Sequence, residues 1–99
     1  MTQFDVYSIA GDGTLLIELQ SDLIDIRQSR VFAPLISENL AEFPRSRLHP
    51  LFEIEGERYL MATHLMGSFP TRDLPQPIDN MSGSFAEISN ALDMLFHGF

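Results

Sequence analysis

Three histidines, His49, His64 and His97, are the residues best suited to metal or proton chemistry in this 99-residue chain. Their spacing supports neither. No H-x-x-x-H or H-E-x-x-H pattern sets two imidazoles on one helix face, and there is no cysteine to add a thiolate. No metal and no cofactor are therefore expected. No G-x-S-x-G occurs, and Gly11-Asp12-Gly13 is too short to cradle a phosphate and reads as a hairpin turn. Asp22 and Asp25, with Glu53, Glu55 and Glu57, offer carboxylates for acid–base work. Acids that alternate along a strand are more often its solvent face. Asp93 and His97 stand at i, i+4, where a carboxylate and a helix C-terminus both favour imidazolium. That stripe lacks a nucleophile. No catalytic residue is expected, and the chain is not expected to be an enzyme.

The segment Leu95-Phe96-His97-Gly98-Phe99 carries more information. A terminus usually frays and is polar unless something ties it down. This one is aromatic and hinged at Gly98, with no polar tail behind it. Either the tip folds back into the core, or it is presented to a partner. A glycine at this place predicts a left-handed exit from the preceding helix.

That helix is the clearest element in the chain. Ser84 and Glu87 have the S-x-x-E spacing of a capping box. Phe85, Ile88, Ala91, Leu92, Leu95 and Phe96 then fall on one arc of about 140° at helical periodicity, which predicts a core-facing side. Asn90, Asp93, Met94 and His97 line the opposite arc at i, i+3, i+4, i+7. A methionine within a polar stripe suits an adaptable contact surface, although a solvated face with one incidental Met has the same pattern.

The rest of the chain must position this helix. Gln3 to Ile9 reads as a strand, with Phe4 and Val6 alternating against Asp5 and Tyr7. Ala10 to Gly13 is a turn, and Thr14 to Gln20 a second strand, with Leu15, Ile17 and Leu19 on one face and Leu16, Glu18 and Gln20 on the other. Ser21 to Asp25 reads as a loop. Arg30 to Ile36 is a third strand interrupted by Pro34, which predicts an edge or a bulge because proline cannot donate to a ladder. Ser37 to Pro50 is a long polar excursion. Leu51 to Ile54 and Glu57 to Leu65 form a second hairpin about Glu55-Gly56, closed by Met66 to Pro70, and Pro75-Gln76-Pro77 is a stiff connector.

One domain is expected, spanning residues 1–99. The composition is 44% hydrophobic with eight Phe and two Tyr, enough for a single core. A chain this small hides only roughly two-thirds of its unfolded surface, so association with a second copy would help it. The net charge is −8, and the basic residues are scattered arginines. This disfavours direct nucleic-acid binding, which relies on Lys and Arg against phosphate, and disfavours an anionic membrane. No secretory signal or membrane-spanning run is read in the sequence, so a cytoplasmic location is expected. The residues alone point to an acidic, mostly β, oligomeric interaction protein.

The whole order of segments resembles the CcdB family, toxins of toxin–antitoxin modules that poison DNA gyrase. Gln3-Phe4-Asp5-Val6-Tyr7 is similar to the family's opening strand, and Gln20-Ser21-Asp22-Leu23-Ile24-Asp25 to its QSDIID segment. Val31-Phe32-Ala33-Pro34-Leu35 is similar to its VIPL strand, and His49 to Phe52 with Glu57 to Thr63 to its second hairpin. Met66-Gly67-Ser68-Phe69-Pro70 is similar to MASVP, and residues 90–99 to NAINLMFWGI. The resemblance implies a mostly β, α+β fold: an SH3-like antiparallel barrel with a small accessory sheet and one C-terminal helix, paired as a two-fold homodimer. It implies two further bacterial partners: the DNA gyrase A subunit, trapped on cleaved DNA, and a cognate antitoxin whose disordered segment removes the toxin. Carried onto this chain, the gyrase-binding residues are Leu23, Ile24, Asn90, Asp93, Met94, Phe96, His97, Gly98 and Phe99.

Departures from the family fall on that same surface. The family tip is Trp-Gly-Ile, here His97-Gly98-Phe99, and a helix Asn is here Asp93. A Trp face stacks on an Arg for about 0.5–2 kcal/mol. A His offers less and its cation repels the Arg, while Asp93 is placed to pair with it. A loss of about 2–3 kcal/mol weakens binding roughly 30- to 150-fold. A family relative that keeps dimer and antitoxin binding without poisoning gyrase is the alternative. A ribonuclease toxin of the MazF and Kid type shares the barrel but needs a basic RNA groove.

Overall fold

A computed structural model describes residues 2–9 and 14–99. The Ala10 to Gly13 turn lies outside the described residues. Seven strands form one antiparallel sheet: β1 (Asp5–Ser8), β2 (Leu15–Glu18), β3 (Ser29–Ser37), β4 (Leu51–Ile54), β5 (Glu57–Met61), β6 (Gly67–Pro70) and β7 (Asp79–Asn80). The order is β4-β5-β3-β2-β1-β7, with β6 also on β3. The sheet curls into a nearly closed SH3-like barrel, and the accessory part is continuous with it through β3. Helix α1 (Phe85–His97) follows the last strand.

The alternation in β1 and β2 sorts side chains into two apolar layers. Phe4, Val6, Leu15, Ile17 and Leu19 join Ala33, Leu35, Phe52, Ile54 and Met61 inside the barrel. Tyr7, Leu16 and Phe32 meet on the other face, covered by Phe69 and Leu74. Both faces of the first hairpin are therefore buried. Phe4 adopts φ 70°, a left-handed backbone that costs a non-glycine residue about 1–2 kcal/mol. Its ring is buried and meets Phe85 edge-on at 5.9 Å, which ties the start of α1 to the barrel.

Pro34 does not mark an edge. β3 is the central strand and runs unbroken through it. On one side residues 32–35 of β3 pair with β2, Leu16 opposite Pro34. On the other, residues 29–32 pair with β6 and residues 35–37 with β5. The Pro34 carbonyl accepts from Ala62 N–H at 2.8 Å, so its donor-less nitrogen faces the same side, at the seam between β6 and β5. The missing N–H is no loss to the β2 ladder.

The second hairpin turns at Glu55 (φ 52°) and Gly56 (φ 80°). Positive φ at both central residues matches the twist of the flanking strands. β5 ends at Met61 rather than Leu65, because Thr63–Leu65 winds into a 3-10 turn against α1. The two-residue β7 was not foreseen; Asp5↔Asn80 and Val6↔Asp79 add it to the edge of β1.

The capping box is not formed. Ser84 belongs to a 3-10 turn, Ser82–Ser84, and has φ −106° and ψ 24° with no side-chain cap bond. A capping side chain works from an extended N-cap backbone, which Ser84 lacks. Asn80, four residues before Ser84, makes a bond of this kind at the start of the 3-10 turn, its Oδ1 accepting from Ser82 N–H at 2.9 Å.

Candidate functional site

The buried side of α1 is narrower than the apolar arc. Ile88 and Ala91 are fully buried, and Leu92 packs beside them half-buried. Burying Ile88 contributes about 1.5–3 kcal/mol. Phe85 and Phe96, predicted to face the core, are 57% and 62% exposed. Both lie at the same edge of the arc, about 20° apart at helical periodicity, and away from the strip of α1 that Ile88 and Ala91 bury.

Asn90, Asp93, Met94 and His97 are all exposed. Asp93 and Met94 each stand three or four residues from both Asn90 and His97, so the four are neighbours on the helix surface. Gly98 then leaves the helix at φ 77°, ψ 14°, and its N–H donates to the Met94 carbonyl at 3.0 Å. Phe99 is 75% exposed, so the tip is not a core plug. The His97 and Phe99 rings lie 6.0 Å apart at 35°. Asp93 and His97 form no ion pair among the described residues; the imidazole is turned toward Phe99. The surface therefore combines an acid, a carboxamide, a thioether and three rings. The C-terminal helix dipole adds negative potential to it.

Leu23 and Ile24 sit on a different element, the loop after β2. Leu23 is 92% exposed and Ile24 about half. Two local bonds shape the loop: Leu23 N–H to Ser21 Oγ at 3.1 Å, and Ile24 N–H to the Ser21 carbonyl at 3.1 Å. No hydrogen bond joins this loop to α1 among the described residues.

Two polar clusters were not foreseen. Glu18 and Arg30 are buried and 2.6 Å apart through Arg30 Nη2. Burial pushes the Glu18 carboxyl up, and the Arg30 charge pulls it back only in part. An acid between Ile17 and Leu19, on the same face as Leu16, was the available signal. In the second cluster His49 Nε2 and His64 Nδ1 are 2.8 Å apart, with Phe43 4.1 Å from the His49 ring. One imidazole donates and the other accepts. Both rings cannot be protonated in this contact, because two N–H groups would then face each other. Burial and the neighbouring His64 lower the His49 pKa.

Asp5 is held below the ordinary carboxylate range. Burial works against its charge, but Asn80 Nδ2 at 2.9 Å and Thr2 N–H at 2.9 Å outweigh it. The hairpin acids Glu53, Glu55 and Glu57 and the loop acids Asp22 and Asp25 are exposed. No group of three or more His, Cys, Asp or Glu suited to a metal occurs among the described residues. No helix among them is long and apolar enough to cross a membrane.

A nearly closed SH3-like barrel, closed by one helix that turns a bare face and an aromatic tip outward, defines the class of this small domain. Comparison with known families gives the closer assignment. The chain belongs to the CcdB family, which matches as "CcdB protein" over residues 3–98. This is a family of toxins, and the match covers nearly the whole chain.

Proposed function

We propose that this protein is the toxin of a type II toxin–antitoxin module, acting as a homodimer in the cytoplasm. It binds the DNA gyrase A subunit and traps gyrase on cleaved DNA until a cognate antitoxin removes it. The observation that carries this reading is the exposed face of α1 running into the left-handed Gly98 exit. Together these leave Met94, Phe96 and Phe99 uncovered in a family of toxins. Isolated apolar residues on a surface need no explanation, but several on one helix end mark a contact. The gyrase-binding residues are Asn90, Asp93, Met94, Phe96, His97, Gly98 and Phe99, with Leu23 and Ile24 on the loop after β2. They act by binding, not by chemistry.

Expression in a bacterial host without the antitoxin tests the proposal. Growth arrest with gyrase-linked DNA cleavage supports it. Normal growth and no affinity for a gyrase A fragment refute it. One observation favours the second reading, a relative that keeps dimer and antitoxin binding only: His97 stands where the family has its stacking Trp. The net charge of −8 speaks against a ribonuclease.

A further inference from the structure

The Leu23–Ile24 loop projects the most exposed large apolar side chain among the described residues, yet its own two hydrogen bonds are local and Leu23 has no packing cover. Its support comes from beneath. Arg30, on the central strand β3, is 5% exposed and reaches under the loop. Its Nη1 donates to the Ile24 carbonyl at 3.3 Å, and its Nη2 to the Gln20 carbonyl at 3.3 Å. The same Nη2 pairs with Glu18 at 2.6 Å and lies 3.7 Å from Asp22. One rigid guanidinium therefore spans both ends of the loop while Glu18 fixes it from below. Two further bonds tether the same segment. Gln3 N–H donates to Asp22 Oδ1 at 2.9 Å, and Val31 N–H to Gln20 Oε1 at 3.3 Å.

We infer that Arg30 is a positioning residue for partner binding: it never touches the partner, but its clamp on Gln20 and Ile24 sets where Leu23 and Ile24 stand. The partner part of this inference rests on the gyrase reading above. The chemistry requires arginine. A lysine keeps the charge and can still meet Glu18, but a single ammonium cannot reach both carbonyls in the fixed geometry of a planar fork. Glu18 is needed for the opposite reason, since a buried guanidinium without a counter-charge is strongly unfavourable. The clamp thus turns an otherwise destabilising buried pair into a rigid mount.

Arg30→Lys tests this with two readouts. The first is amide exchange in the full-length protein. The Leu23 and Ile24 amides should exchange at least tenfold faster in Arg30→Lys, while Ile17 and Leu35 amides in the core strands stay protected. Unchanged loop exchange overturns the inference whatever the partner does. Loss of core protection as well means Arg30 is merely structural, and also overturns it. The second readout is affinity for a gyrase A fragment in a double-mutant cycle. Arg30→Lys should weaken binding several-fold in the wild-type background and in Phe99→Ala. It should have no further effect once Leu23 and Ile24 are both Ala. An equal loss in all backgrounds overturns positioning through the loop. If the wild type does not bind the fragment at all, the gyrase reading fails, and the partner role falls with it. The exchange arm still decides whether Arg30 mounts the loop.

Discussion

Deleting His97-Gly98-Phe99 should separate recognition from folding. The tip contributes little to stability. Phe99 is 75% exposed, and the fully buried Ile88 and Ala91 lie well before the deletion. What is lost is two terminal backbone bonds, that of His97 as the last residue of α1 and that from Gly98 N–H to the Met94 carbonyl, each worth about 0.5–1.5 kcal/mol net. In a domain this size 1 kcal/mol shifts Tm by about 4–8 °C, so the truncated protein should melt roughly 4–24 °C lower. Truncating one aromatic anchor at the centre of an interface costs about 2 kcal/mol or more, which is roughly 30-fold in Kd. The assay is surface-based affinity for a gyrase A fragment, with Tm and sedimentation as controls. His97→Trp in the same assay should gain about 0.5–2 kcal/mol from a stacking face, or roughly 2- to 30-fold. A fall in Tm beyond about 25 °C would show that the tip is structural. Unchanged affinity after truncation would place the gyrase surface elsewhere. If truncation removes binding but His97→Trp changes nothing, Asp93 or Phe99 carries the contact.

The helix phase predicts that Ile88→Ala, at a fully buried site, costs about 2–5 kcal/mol. Leu92→Ala, half-buried, should cost less, and Asn90→Ala should stay within about 0.5 kcal/mol. Urea midpoints rank the three, and a large cost at Asn90 would break the assignment of faces. Gly98→Ala meets no atom within 4 Å of the added Cβ. Its penalty is therefore the backbone alone, about 1–2 kcal/mol at positive φ. It should lower gyrase affinity by redirecting Phe99 while leaving the barrel's amide protection unchanged. The His49–His64 pair predicts a loss of stability on acidification. The His49 pKa lies below its ordinary 6.5, so just below pH 6.5 the unfolded chain binds a proton that the folded chain does not. Stability is fully present above that value and falls as pH drops, by up to about 1.4 kcal/mol per unit. Glu18, raised above its ordinary 4.5, acts in the opposite direction. The test is therefore the difference between wild type and His49→Gln from pH 7.5 to 5.5, and parallel curves would refute it.

Much of the barrel was legible because its signals are local. Alternation located β1 and β2, Glu55-Gly56 located the second hairpin, and periodicity located α1 together with its exposed stripe. Pro34 misled because the expectation assumed a strand with one neighbour on each side. β3 has two successive neighbours on one side, and proline sits where they meet. Phe85 and Phe96 misled because both lie at one edge of the apolar arc, and periodicity fixes its direction but not how wide a strip of it is buried. The His49–His64 contact was hidden by a sequence separation of fifteen, although the hairpin register encodes it. Leu51 pairs with Leu60, and carrying that register two residues further sets His49 opposite Ala62, one turn from His64. Glu18 and Arg30 were each visible, but only the β2–β3 pairing brings an acid and a base beneath one loop.

The seam at Pro34 also matters before the fold is complete. β2 can cover one side of β3 early, but the other side waits for residues 57–70. Until then a nine-residue strand rich in apolar side chains presents an open edge, the kind of template on which nascent chains stick to one another. Pro34 lies in the middle of that edge with no hydrogen to offer on the open side. A second strand approaching from another molecule finds the ladder interrupted, whereas the protein's own β6 and β5 arrive as two short pieces that fit on either side of the gap. The residue that looks like a defect in the finished sheet is thus placed as gatekeeper residues are, where it takes no bond from the protein's own strands and denies one to a foreign strand.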